Sequence, residues 1–223
     1  MKEKIKQLTE KTSYDITDLR EIMKILRSEN GCPWDREQNH KTIRQNFIEE
    51  TYEAIEAIDN DDMPLLREEL GDVLLQVIFH ARICEEDGFF SFDEVSNDIC
   101  VKMIERHPHI FGTVKADTSA EVLRNWEQIK QNTKQRKNIA EVLEGVSKSL
   151  PSLMRAGKLA KKMAKNGYAF PPSRKLSESE YGDALFSLAA ECALAGIDPE
   201  KALFTGCEKF IAQAAAGEDK PEG

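Results

Sequence analysis

The stretch FIEETYEAIEAIDNDDMPLLREELGDVLLQVIFHA, residues 47–81, decides how the rest of the chain is read. It holds two acidic groups, Glu49-Glu50-x-x-Glu53 and Glu69-Leu70-Gly71-Asp72. Between them, Asp59-Asn60-Asp61-Asp62-Met63-Pro64 is a cluster of turn formers that ends one helix and begins another. Helical spacing puts Glu50 and Glu53 one turn apart on one face, and Glu69 and Asp72 likewise. At about 1.5 Å per residue, Glu53 and Glu50 lie roughly 9 and 13 Å before Asp59, and Glu69 and Asp72 lie roughly 8 and 12 Å past Pro64. An antiparallel return therefore brings four carboxylates to one level.

The second helix gives those acids their meaning. Leu66, Leu70, Val73, Leu74, Val77, Ile78, Ala81 and Cys84 cover one broad side of it, and Leu65, Leu75, Phe79 and Ile83 cover much of the other. A helix apolar nearly all round is a buried helix, yet Glu69, Asp72, Gln76 and His80 run along it as a polar stripe. Buried carboxylates must be neutralised, paired or bound to metal. Few cations stand nearby in sequence, and an oxygen-only donor set points to Mg²⁺ or Mn²⁺ rather than zinc. The competing reading makes Glu49, Glu50, Glu53 and Glu56 a solvated helix face, which is what a lone EExxE usually means. The ExxD on a mostly apolar helix across a short turn weighs against it. On the first helix the expected core stripe is Phe47, Ile48, Thr51, Tyr52, Ile55 and Ile58, with Ala54 and Ala57 continuing the side of Glu50 and Glu53.

The whole chain is 223 residues with a net charge of −9, enough for one or two domains with a sizeable core. That charge argues against a nucleic-acid groove as the main surface. The cysteines at 32, 84, 100, 192 and 207 show neither CxxC nor disulfide spacing. The start has no apolar leader region and no apolar run reaches membrane length, so a soluble protein in a reducing, cytoplasmic setting is expected. Long helical periods and the absence of strand alternation predict an all-α fold.

Outside the hairpin, residues 1–14 read as a loose lead-in, with Asp15 or Thr17 capping a first helix. Cys32-Pro33-Trp34-Asp35 reads as a compact loop, with His40 hydrogen-bonding nearby. Ser91-x-x-Glu94 and Thr118-x-x-Glu121 are capping boxes that open a third and a fourth helix. Lys102 and Arg106 share a face of the third, and Trp126 and Lys130 share a face of the fourth. Taken alone, these four read as rim charges and core packing. His107-Pro108-His109 reads as a turn rather than a zinc site. Residues 131–138 read as a basic linker or the frayed end of the fourth helix, and further helices with a disordered tail from Gly217 are expected after it. In that second half Glu180-Tyr-Gly-Asp183 echoes Glu69-Leu-Gly-Asp72, without an acidic helix before it.

Cys32-Pro-Trp-Asp35, Glu49-Glu-Thr-Tyr-Glu53, Arg67-Glu-Glu-Leu-Gly-Asp72, Arg106-His-Pro-His-Ile-Phe111 and Trp126-Glu-Gln-Ile-Lys130 together resemble the MazG family of nucleoside triphosphate pyrophosphohydrolases. The likeness covers nearly all of residues 18–170 and continues, degraded, to the end. It implies a four-helix-bundle-like MazG domain over residues 1–136 and a shortened, degenerate helical second domain over 137–223. Mg²⁺ would be held by Glu50, Glu53, Glu69 and Asp72 around a nucleoside triphosphate. Water would attack the α-phosphorus, with Glu49, Glu50 and Glu53 as the catalytic acids. Glu49 is left open between metal ligand and water-orienting base. By position, Lys102 and Arg106 match phosphate-contacting residues, and Trp126 and Lys130 match nucleotide-contacting ones. The family likeness also makes a homodimer the default. A specific substrate, such as a dUTP- or dCTP-like nucleotide or phosphoribosyl-ATP, is the alternative within the fold. A non-catalytic helical interaction module is the alternative outside it.

Overall fold

The computed structural model describes residues 2–116, 138–168 and 175–216, and residues 118, 119, 121, 122, 125, 126, 129 and 170 individually. Every regular element among them is helical. The chain divides into two compact units, Met1–Ala116 and Asp117–Gly223. Most of residues 117–137, where the fourth helix, the basic linker and the expected domain boundary fall, lies outside the described residues.

The first unit runs α1 (Lys2–Thr9), α2 (Ile16–Leu26), α3 (Pro33–Glu37), α4 (Arg44–Asp59), α5 (Met63–Glu86), α6 (Phe92–Arg106) and α7 (Pro108–Phe111). α5 is its axis, with α2, α4 and α6 packed against it. Met23, Ile43, Ile78, Phe79 and Ile83 form the buried core, with Leu19, Leu75 and Phe92 against them. Asp15, not Thr17, caps α2: its carboxylate accepts the N–H of Thr17 and of Asp18, and Asp18 reaches back to the Asp15 N–H. Ser91 and Glu94 close the expected capping box on α6. Two segments are more ordered than expected. The lead-in contains α1, tied to α2 by Lys4–Glu21 at 2.7 Å, and Pro33–Glu37 is a one-turn helix with its proline in the first turn, where no backbone donor is needed.

The hairpin turn is built by the expected residues. Asp61 N–H bonds to Ile58 C=O and Asp62 N–H to Ala57 C=O, while Asp61 takes the left-handed conformation with φ 55°. This is a Schellman closure with aspartate where glycine is commonest. Asp62 then caps α5 by accepting the Leu65 N–H at 3.0 Å.

The buried side of α4 differs from the expected stripe. Tyr52, Ile55 and Ile58 are exposed, whereas Ala54 and Ala57 are buried, Ala57 completely. α5 packs along the alanine side, where small side chains let two helices approach. On α5, which packs on α2 and α6 as well, Gln76, Ile78, Phe79, Ala81 and Ile83 are buried and Leu70 and Leu74 are exposed.

The second unit contains α8 (Ile139–Glu144), α9 (Ser152–Lys165), α10 (Glu178–Leu194) and α11 (Pro199–Ala216). Leu143, Val146, Leu159, Met163, Cys207, Ile211 and Ala214 form its core. Arg155 is fully buried there, bonded through Nη2 to Glu208 and set 5.1 Å over the Phe204 ring. α10 buries no residue.

Candidate active site

The alanine-side packing of α4 turns Glu50 inward. One carboxylate oxygen each from Glu50, Glu69 and Asp72 lies within 4.8 Å of the others. Glu69 is buried and the other two are half-buried. Among the described residues this is the one group of three or more acidic, histidine or cysteine ligands close enough to hold an ion.

The electrostatics of the cluster are those of crowded carboxylates. Burial raises the Glu50 carboxyl above its ordinary range, and the charges of Asp72, Glu53 and Glu69 raise it further. Burial likewise raises Glu69, with Glu53, Asp72 and Glu68 adding to it. The charges acting most strongly on both are negative, and among the described residues no ion pair joins Glu50, Glu69 or Asp72 to a cation. Glu53 is exposed, outside that group of three, and its charge helps to raise both Glu50 and Glu69. Such a centre is incomplete without positive charge. Its all-oxygen donor set fits a hard divalent cation.

The other expected residues are placed as follows. Glu49 is exposed, outside the cluster, and accepts a hydrogen bond from Gln45 Nε2 at 3.1 Å. Lys102 is exposed and Arg106 half-buried in the C-terminal half of α6. Trp126 is half-buried in the second unit, and Lys130 lies outside the described residues.

Beyond Asp72 the polar stripe of α5 continues through Gln76, buried with an Oε1 that meets no donor, to His80. His80 meets His40 with their Nδ1 atoms 2.8 Å apart. His40 hydrogen-bonds, but not within its own loop as expected: its partner is on α5, 40 residues away. No local spacing signals that pairing. The residues of the His107-Pro108-His109 turn begin the short α7, and His107 Nδ1 bonds to Met103 C=O at 2.6 Å.

The echo on α10 is differently used. Glu180 is the third residue of that helix, and its carboxylate accepts the Ser177 N–H and hydroxyl, both at 2.7 Å. These bonds hold Glu180 below the ordinary carboxylate range.

Fold and site together define the class: an all-α protein with a carboxylate centre of the kind that holds hard divalent cations. The model of the MazG nucleotide pyrophosphohydrolase domain matches residues 38–111, which include the whole hairpin. The chain is 39% identical over 215 residues to the nucleoside triphosphate pyrophosphohydrolase of Escherichia coli (strain K12), covering 85% of this chain and 81% of that one. It is 36% identical over 214 residues to the nucleoside triphosphate pyrophosphohydrolase/pyrophosphatase MazG of Thermotoga maritima, covering 87% and 82%. The match to the YabN protein of Bacillus subtilis (strain 168) is 42% over 222 residues, covering 88% of this chain but 45% of that longer one. The chain belongs to the MazG family of nucleoside triphosphate pyrophosphohydrolases.

Proposed function

We propose that this chain hydrolyses nucleoside triphosphates to nucleoside monophosphate and pyrophosphate, with Mg²⁺, or Mn²⁺ in its place, held by Glu50, Glu53, Glu69 and Asp72. The observation that carries this reading is the cluster of Glu50, Glu69 and Asp72, whose oxygens lie within 4.8 Å of one another, with burial and neighbouring carboxylates raising Glu50 and Glu69. Phosphoryl chemistry asks a protein mainly for positioning and charge neutralisation, and a bound divalent ion supplies that neutralisation for the phosphate oxygens and the departing pyrophosphate. The chain supplies the rest. Glu49, held by Gln45 outside the cluster, orients the attacking water. Lys102 and Arg106 add positive charge where the phosphate becomes more negative. Trp126 and Lys130 enter the reading only by their match to nucleotide-contacting positions of the family motif, and an aromatic that stacks on a base without reading its edge favours broad base tolerance.

The complete site lies on the α4–α5 hairpin, and the second half of the chain acts as a shortened helical echo. Exposed Tyr52, Ile55, Ile58, Leu70 and Leu74 on that hairpin support pairing of two copies. Five free thiols agree with a cytoplasmic setting, and among the described residues no helix is long and apolar enough to cross a membrane.

Pyrophosphate release from a panel of NTPs and dNTPs with Mg²⁺ tests the reading. Turnover is expected in the wild type and not in Glu53→Gln or Asp72→Asn with unchanged helical signal. A well-folded wild type that turns over none of the panel would favour a helical interaction module instead.

A further inference from the structure

The carboxylate centre lies between the Asp61 turn and a second tie at the open end of the hairpin. There His40, from the loop between α3 and α4, meets His80 of α5 with Nδ1 atoms 2.8 Å apart. The rings are within 11° of parallel and their centroids 5.1 Å apart. With facing nitrogens this close, they meet edge to edge rather than face to face. The other His40 nitrogen, Nε2, stands 3.4 Å from Cys84 Sγ, one turn further along α5. Phe47, in the first turn of α4, packs on His80 with centroids 5.6 Å apart.

The loop that carries His40 is held firmly. Asn39 Oδ1 accepts the Lys41 N–H at 2.9 Å, and Thr42 Oγ1 accepts the Asn39 N–H at 2.9 Å. Arg27 donates to the Gln38 carbonyl at 3.1 Å, and Ile43 is buried in the core. The chain entering α4 is therefore fastened to α5 at His40, Ile43 and Phe47. Glu50 follows Phe47 within one helical turn, and His80 lies two turns beyond Asp72 on the same stripe.

We propose that His40 and His80 are positioning residues for the carboxylate centre: their N–H···N bond sets how closely α4 approaches α5, and so the spacing of Glu50 from Glu69 and Asp72. The inference rests on the metal-holding role given to those acids above.

The bond has a built-in proton limit. A neutral pair shares one N–H between the facing nitrogens, one ring donating and the other accepting. One added proton leaves that bond in place and makes it charge-assisted. A second puts an N–H on both facing nitrogens and turns attraction into repulsion. On α5 the pair faces Cys84, on which Asp87 acts. From α4 it faces neutral Phe47, and the α6 side chain on the adjoining core, Phe92, is neutral too. Arg27 of α2 is engaged by Glu86 and by the carbonyls of Asp35 and Gln38. Burial first, and the charge of His40 second, lower the His80 pKa, so the second protonation falls on the acid side of the usual histidine range.

The test is Mn²⁺ binding, counted from the free-ion paramagnetic signal, on the full wild-type chain and on His80→Ala, His40→Ala and His80→Asn. At neutral pH both alanine variants should bind several-fold more weakly while still unfolding cooperatively. His80→Asn should bind like the wild type, because its amide offers a hydrogen-bonding atom near the lost Nδ1. Below about pH 6.5 the wild type should lose Mn²⁺ more steeply than His80→Asn, whose pair cannot take a second proton. If His80→Ala fails to fold, His40→Ala, changed on an exposed loop side chain, carries the comparison. Alanine variants that bind like the wild type, an asparagine variant as weak as alanine, or superimposed pH profiles would each overturn the positioning role. A wild type that binds no Mn²⁺ would instead overturn the function proposed above, and this inference with it.

Discussion

Glu69 and Glu180 hold the same place in a repeated Glu-x-Gly-Asp sequence and sit in opposite electrostatic surroundings. Glu69 lies deep in α5, where burial and three neighbouring carboxylates raise its pKa. Glu180 lies in the first turn of α10, where the Ser177 N–H and hydroxyl lower it. The first is relieved by a proton or a cation, and the second is already satisfied by its own helix.

An identical substitution should therefore separate the two. On the function proposed above, Glu69→Gln removes a charged ligand and should abolish pyrophosphate release. Glu180→Gln keeps the capping-box chemistry, since glutamine serves at that position as glutamate does, and should leave the rate unchanged. Equal losses from both, measured on proteins of unchanged helical content, would mean the second acid also serves the reaction.

The Asp61 turn offers a gain rather than a loss. Left-handed backbone is strained for most residues and free for glycine, and φ at Asp61 is 55°. Asp61→Gly should raise stability by up to about 1 kcal/mol, read as a higher midpoint in urea with unchanged slope. A lower midpoint would mean that the aspartate side chain supports the turn in a way its backbone bonds do not reveal.

How much of this was legible in the sequence depends on whether the signal was local. The α4–α5 hairpin was, because turn formers, caps and helical spacing all lie within one stretch, and so was the level at which Glu50, Glu69 and Asp72 meet. The burial of α4 was not. Hydropathy selects Tyr52, Ile55 and Ile58, but close helix packing selects Ala54 and Ala57, and it is this choice that turns Glu50 inward. α1 was missed because its chain is mostly polar, with Ile5 and Leu8 as the apolar side chains that reach α2. Ser177-Glu-Ser-Glu180 spells a capping box, and its likeness to the acidic motif hid that simpler use. The His40–His80 pairing joins residues 40 apart, which no periodicity can indicate.

Arg27 holds the loop that precedes α4, and its loss should be severe. Its side chain is 7% exposed; it donates to Glu86 at 2.7 Å and to the carbonyls of Asp35 and Gln38, and its guanidinium lies 5.3 Å from the Phe79 ring centre. Removing it takes one of the two arginines from the partly buried Glu86, which keeps Arg82 at 2.8 Å, and leaves two carbonyl acceptors without this donor, so Arg27→Ala should cost about 2 kcal/mol. Arg27→Lys should recover little, because an ammonium cannot reproduce the planar fork or its stacking. Denaturant melts of the three proteins give the comparison, and full recovery by lysine would show that charge alone matters.

The crowded acids make stability depend on pH and metal in a direction that can be worked out. Burial and neighbouring charge raise Glu50 and Glu69 above the ordinary 4.5 in the folded chain. An acid with a raised folded pKa binds its proton more tightly folded than unfolded, so its favourable contribution is present below 4.5 and is lost as pH rises through the folded value. Glu86 and Glu208 act oppositely. Burial pushes Glu86 up, but its bonds to Arg27 and Arg82 hold it below 4.5, and bonds to Lys148 and Arg155 do the same for Glu208. Their contribution is present above 4.5 and fades as pH falls through their lowered values. The metal-free protein should thus gain stability on mild acidification from neutral pH and lose it again on passing below the ordinary carboxylate range. A cation that binds only the folded chain stabilises it by mass action, so Mg²⁺ should raise Tm most at neutral pH and least where Glu50 and Glu69 carry protons. Glu69→Gln should raise the metal-free Tm at neutral pH and remove most of the Mg²⁺ response. Melting curves of wild type and variant with chelator or Mg²⁺ across that range check all three expectations. A wild-type Tm indifferent to Mg²⁺ at neutral pH would remove the cation from the centre.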